Sequence, residues 1–398
     1  MKKLLALLVL VMFGAAFAQD DGPITIGVNL ELSGRLVALG TPELEGVRAA
    51  LEQQSEVLGR TVELSVCDNQ STPEGSIACA NRFVDEGVVA VIGTGGSSQA
   101  IPAAEVLQEA GIVQITPSST NNATTQIGDY IFRMAYNDEF QGEVAAGYAS
   151  DEVGAQRVAI VRQQDDDYSF GLAGFFQDNF ESMGGETLIV DVVANQVDFA
   201  SQINEIRQFN PDAIYAPIFC SEAAPFVVQL RQQGFTDTPL IGADASDDPQ
   251  CVDGAGEAIN GWTFTAFAIP EQLTGEAAER ASEFQSFFSE TQPDGTFNGF
   301  TLAGADSYNV LAEAMTQAGE VDAEAIRDAL QSVTDFPGVT GSITYEGTDG
   351  TPADRVMGFF TYENATYPGE PLFNVSTGQD EGSSDMSGGM SGGETGGN

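Results

Sequence analysis

The chain contains no histidine. That absence removes Ser-His and Cys-His nucleophilic pairs, imidazole general bases and nearly all ordinary zinc sites. Basic residues are scarce: 14 Lys+Arg stand against 59 Asp+Glu, for a formal net charge of -45. A field of that sign repels nucleic acid and anionic membrane surfaces, so neither is an expected partner. No GxSxG stands between a strand run and a helical run, the one match (GMSGG, 389–393) lying in the Gly/Ser-rich C-terminal stretch, which with the missing histidine argues against an exported α/β hydrolase. The glycine-rich GTGGSS segment fits neither GxxxxGK[ST] nor GxGxxG, so nucleotide binding lacks support. There is no CxxC spacing for a metal cluster, and the acidic run Asp165 to Asp167 lacks the glycine and distal glutamate of a calcium loop. No cofactor and no metal are expected.

What the chain does have is 398 residues with 42% hydrophobic and 9% aromatic content, enough to bury a large core in two domains or one bilobed protein. Lys2 and Lys3 precede an apolar run from Leu4 to Phe13 and the small-residue site Ala16-Phe17-Ala18, the layout of a secretory signal over residues 1–18 with cleavage before Gln19. Extended to Ala18, that run is about 15 residues, short of the roughly 20 of a spanning helix. Loss of the two lysines leaves 12 basic residues against 59 acidic ones, a formal -47. No cysteine stands just after the cleavage site to take a lipid anchor, so a periplasmic or extracellular protein is expected. Four cysteines in an oxidising compartment suggest two disulfides. Three pairings exist; order along the chain favours Cys67 with Cys79 and Cys220 with Cys251, each stapling a strand end to the next loop or helix.

From Pro23 a short β-branched run alternates with a longer amphipathic one, the mark of βαβ units in an α/β fold with mostly parallel sheets. ITIGVNL (24–30), TVELSV (61–66), VVAVIG (88–93) and IVQIT (112–116) read as strands, separated by helical stretches after Pro42, Pro73 and Ser98. A second set comprises RVAIVR (157–162), ETLIVDVV (186–193), DAIYAPIF (212–219), PLIGA (239–243) and GWTFTAF (261–267). Residues 276–333 read as helical, with GVTGSITY (338–345) and RVMGFFTY (355–362) as closing strands. The expectation is two Rossmann-like, doubly wound lobes: 22–138 plus 269–338, and 139–268 plus 339–374. Ligands of such sheets sit beyond the carboxyl ends of strands, and here between the lobes. Residues 375–398 are Gly/Ser-rich without apolar periodicity and read as a disordered tail.

The segments LSG (32–34), LGR (58–60), VIGTGGSSQA (91–100), ITPSST (115–120) and DDDYSFGL (165–172) appear in an order that resembles the branched-chain amino-acid binding protein family, the type I periplasmic substrate-binding proteins of ABC importers. The resemblance runs from about Ile24 to about Phe360. It implies a multi-crossing hinge, no enzymatic activity, a monomer, an amino acid or similar small molecule as ligand, and importer membrane subunits as partners. Amides, urea, aromatic acids or a sensory role are alternatives within the same fold.

A zwitterion needs anion donors and a cation acceptor on facing walls. Ser97 and Ser98 stand at a helix start, where free N-H groups and the dipole favour a carboxylate; left to themselves, serines there are simple N-caps. The resemblance adds Ser118, Ser119 and Thr120 through hydroxyl and backbone groups, Tyr168 as a lid, and Asp244 as acceptor for the ligand ammonium. Phe219, Cys220, Ser221 and Glu222 add a further wall. Where many members carry an aromatic before a glycine, this chain has Leu39 before Gly40, which removes a ring from the pocket. Arg35 either meets a second ligand carboxylate or pairs with surface acids.

Overall fold

A computed structural model describes residues 22–267, 269–366, 368 and 371–377. The signal segment, and the tail from residue 378 onward, lie outside them. The first lobe opens with β1 (Ile24–Leu30), α1 (Val37–Gln53), β2 (Glu56–Val57), β3 (Arg60–Asp68), α2 (Pro73–Glu86), β4 (Ala90–Gly93), α3 (Ser97–Ala110), β5 (Val113–Thr116), α4 (Ala123–Gln126) and β6 (Ile131–Arg133). The strands form a six-stranded sheet in the order β2-β3-β1-β4-β5-β6. β1 lies between β3 and β4, parallel to both, with Ile24 opposite Val62 and Ile26 opposite Ala90. Helices cover both faces, which is why β1 reads as a nearly continuous apolar run.

The second lobe continues with α5 (Asp138–Gly147), β7 (Arg157–Gln163), α6 (Asp167–Ser182), β8 (Glu186–Val192), α7 (Ala200–Phe209), β9 (Ala213–Tyr215), α8 (Cys220–Gln232), β10 (Leu240–Ile241), α9 (Pro249–Ala255) and β11 (Trp262–Phe267). The chain then returns to the first lobe with α10 (Gly275–Thr291), α11 (Gly299–Ala318), α12 (Ala323–Gln331) and the hairpin β12 (Phe336–Gly338) and β13 (Gly341–Ile343). It crosses back for β14 (Val356–Thr361) and β15 (Phe373–Ser376), completing a sheet ordered β15-β14-β11-β10-β9-β7-β8. No helix among the described residues is long and apolar enough to cross a membrane.

In each sheet the strand order reverses beside one strand: around β1 in the first lobe and around β7 in the second. The crevice at such a reversal opens at the carboxyl ends of the strands. There begin α3 after β4, α6 after β7 and α8 after β9, so the reversals of the two lobes place three helix starts at the cleft. α1 and α11 brace the first crevice at close range: a Cβ on Gly46 would lie 2.0 Å from the Thr301 carbonyl, and one on Gly304 2.2 Å from that of Glu43. Both cysteine pairs close as disulfides, Cys67–Cys79 and Cys220–Cys251.

Five local expectations change. The helix placed after Pro42 begins at Val37, its start held by the Leu36 N-H donating to Ser71 Oγ at 3.1 Å. The run 212–219 is ladder only over Ala213–Tyr215; Ala216 to Phe219 leave the sheet toward the cleft. GVTGSITY is not one strand, because the buried Asp306 carboxylate collects the N-H groups of Val339 (2.9 Å) and Thr340 (2.7 Å) and the Thr340 hydroxyl (2.5 Å), bending the chain between β12 and β13. Val339, Ile343 and Tyr345 pack in the first lobe's core, so the return to the second lobe starts later than residue 339. Finally β15 carries regular structure past residue 375, with Phe373 stacked on Phe359 at 4.5 Å.

Candidate functional site

Gly96 caps α3 without a side chain, and Ser97 is the first helical residue, so the serine hydroxyl is not spent on capping. Ser97 Oγ accepts from Ser119 Oγ at 3.2 Å and from the Asn121 N-H at 3.3 Å. Ser119 also bonds Thr124 Oγ1 at 2.9 Å, and Ser118 donates to the Glu43 carboxylate. Thr120 is buried, its hydroxyl beside the buried Asp138 carboxyl. The first lobe thus offers a bank of buried hydroxyls beside a helix start.

On the other side, Asp166 caps α6 by accepting from the Ser169 N-H at 3.1 Å, which fixes Tyr168 at the rim of the second sheet. Tyr168 donates its hydroxyl to Asp244 Oδ1 at 2.7 Å and accepts from the Ala245 N-H at 3.3 Å. Asp244 follows β10 on a short 3-10 turn, with its N-H on Gln141 Oε1 at 3.1 Å. Burial lifts the Asp244 carboxyl to about 6, against the opposing pull of the Tyr168 and Gln141 bonds.

These residues meet in one narrow cavity between the lobes, lined by Gly95, Gly96, Ser97 and Ser118 on one wall and Tyr168, Asp244 and Ala245 on the other. Leu39, Phe219 and Phe300 form its apolar side and continue into an adjoining compartment reached by Arg35, Leu36, Cys220 and Asp248. Ser119 and Thr120 stand just behind the Ser97 wall; Ser98 does not line the cavity. Its hydroxyl instead accepts from the Asp167 N-H at 2.7 Å and donates to Asp166 at 3.5 Å, across the lobes. Arg35 Nη2 reaches the same Asp166 at 2.7 Å, and Asn121 donates to the Asp167 carbonyl at 2.7 Å. Leu36, Leu39 and Phe300 pack into the second lobe's apolar cluster, so the cleft is shut. Each compartment is on the order of one water across, so a ligand enters and leaves by parting the lobes.

Behind the first wall lie two buried carboxyls. Glu31 accepts from the N-H groups of Gly95 (3.2 Å) and Gly96 (3.3 Å) and from Asn69 (3.3 Å). Burial raises Glu31 to about 7; burial and the charge of Glu31 raise Glu43 well above the carboxylate range. A Cβ on Gly95 would sit 2.9 Å from both Glu43 oxygens, so only glycine lets this turn lie on the acid. Sequence reasoning missed Glu31 and Glu43, which look like any other acids in an acidic chain. It also missed Phe300, whose one signal is the Asn298 cap that starts α11 immediately before it.

The chain matches the model of a family described as periplasmic binding protein over residues 23–366. The chain belongs to the periplasmic binding protein family. It is a family of binding proteins, not of enzymes. The chain is 30% identical to an amino acid binding protein of Pseudomonas aeruginosa, with 83% of this chain and 88% of that one covered. Among solved structures, a leucine binding protein LivK from Thermotoga maritima superposes with a TM-score of 0.82 at 30% identity, covering 86% of this chain and 96% of that chain. The branched-chain amino acid substrate binding protein LivJ from Streptococcus pneumoniae, in complex with isoleucine, gives a TM-score of 0.79 at 26% identity, covering 89% and 99%. In this periplasmic binding protein the two lobes with their mostly parallel sheets have the family's fold.

Proposed function

We propose that this binding protein is exported, captures a small zwitterion of the amino-acid class in the interlobe cleft, and delivers it to the membrane subunits of an ABC importer. The observation that carries the reading is the pairing, across one buried cavity, of the Asp244 carboxylate with Ser97 and the first N-H groups of α3. A ligand ammonium lies against Asp244, and its carboxylate lies against Ser97 and the helix start. Water-excluded, charge-assisted contacts of this kind contribute about 1.5 to 3 kcal/mol each. With apolar burial against Leu39, Phe219 and Phe300, a micromolar Kd, about -8 kcal/mol, is within reach. The ligand favours closure because only the closed form lets both lobes touch it.

The relatives' names make branched-chain amino acids the first ligands to try. A thermal-shift and calorimetric screen of the mature protein against the standard amino acids, their amides lacking a free carboxylate, and hydroxybenzoic acids tests the reading. A Tm increase confined to free α-amino acids supports it. A response only to aromatic acids, or to none of these, overturns it.

A further inference from the structure

The compartment next to the Asp244 site has a mostly apolar lining that includes two charged residues. Leu36, Ala38, Leu39, Phe219, Ala245 and Phe300 supply the hydrocarbon, and Arg35, Cys220 and Asp248 complete the lining. Arg35 uses Nη2 on Asp166 at 2.7 Å and lays its guanidinium over the Phe219 ring at 4.9 Å, yet Nη1 is buried with no hydrogen-bond partner. Asp248 caps α9 through Oδ1, which accepts from the Gln250 N-H at 2.7 Å. Its second oxygen bonds no described residue.

A buried donor left unpaired costs more than a pair that is made. A ligand whose side chain ends in an acceptor relieves that cost, whereas a hydrocarbon of the same shape does not. The charges narrow the choice further. Arg35 is already balanced by Asp166, and Asp248 adds a negative charge, so a terminal carboxylate is repelled. A terminal ammonium meets Arg35. A neutral group that accepts on one side and donates on the other suits both residues.

We infer that this compartment is a specificity subsite for an amino acid whose aliphatic stem ends in a carboxamide, with its oxygen on Arg35 Nη1 and its NH2 on the Asp248 carboxylate. The inference rests on the proposed amino-acid reading and narrows its substrate class. Sites built to hydrogen-bond a ligand group discriminate strongly against analogues lacking it.

The test is calorimetry with two near-isosteric pairs, asparagine against leucine and glutamine against methionine. It is run on the wild type, on Arg35→Met, and on Asp166→Asn, which keeps the α6 cap and Arg35 while weakening the interlobe ion pair. At least one amide is expected to bind about tenfold tighter than its hydrocarbon partner, with the preference lost in Arg35→Met and retained in Asp166→Asn. Leucine and methionine binding as tightly as the amides, or an amide preference unchanged in Arg35→Met, overturns the subsite alone. A preference lost equally in both variants reduces Arg35 to a closure contact and overturns it as well. If no α-amino acid binds, the amino-acid reading itself falls and takes the subsite with it.

Discussion

Asp244 is one acid among 59, and its distinction is physical: it is buried, it accepts from Tyr168, and the hydroxyl wall faces it. Replacement by alanine is expected to cost about 2 to 5 kcal/mol of affinity for a ligand with a free ammonium, while circular dichroism stays native. Because the Asp244 carboxyl titrates near 6, ammonium binding should weaken as pH falls through that value. Tyr168→Phe removes the hydroxyl that stabilises the ionised form, so the Asp244 pKa rises and the midpoint of the affinity-pH curve moves upward. Calorimetry from pH 5 to 8 reads both effects, and a midpoint unchanged in Tyr168→Phe counts against the Tyr168–Asp244 coupling. At this scale the sequence was informative where a motif placed a residue at a strand end, as for Ser97, Tyr168 and Asp244. It was silent on Glu31, Glu43 and Phe300, because burial of an acid or the aim of a ring is decided by chain segments far away.

Among the elements, the starts of α3 and α6 hold the lobes together through Ser98, Asp166 and Asp167. Ser98→Ala leaves the cap of α3 untouched, since Gly96 holds that position, and removes two interlobe hydrogen bonds. The expected result is a ligand-free ensemble with a larger radius of gyration by small-angle scattering and an undiminished response to saturating ligand. The Cys220–Cys251 bridge joins α8 to α9 and so ties Phe219 to Asp248. The two cysteines are 31 positions apart, so the double serine variant should lose about 3 to 4 kcal/mol of stability in denaturant titration. Element types were legible in the chain because parallel strands buried on both faces read as β-branched runs and helices as longer amphipathic ones. The division of 338–345 into a hairpin was not, since the bend is held by Asp306, more than thirty positions away.

For the molecule as a whole, the acid excess and the buried carboxyls act in the same direction. Glu31 is lifted from 4.5 to about 7 and Asp244 from 3.8 to about 6. Between those values the folded state holds protons that the unfolded chain releases, so acidification stabilises it, and the contribution is lost as pH rises through the folded values. The ligand-free Tm should climb as pH is lowered from about 7.5 to about 5, while ammonium affinity declines over the lower part of that range. A flat or falling Tm there would contradict the burial assigned to these acids. Added salt should raise the Tm at neutral pH by screening the net charge of -45.

The sequence by itself determined the alternating α/β architecture and the exclusion of histidine chemistry, and it favoured the two-lobed division and the disulfide pairing that the structure shows. These come from local periodicity, residue order and composition, which need no knowledge of distant contacts. Only the tertiary structure decided which residues face the cleft, that Ser98 and Arg35 span the lobes, and that two carboxyls lie behind the serine wall of the cavity. Those facts depend on the reversal of strand order in each sheet and on the closure of one lobe over the other, which bring together residues far apart in the chain.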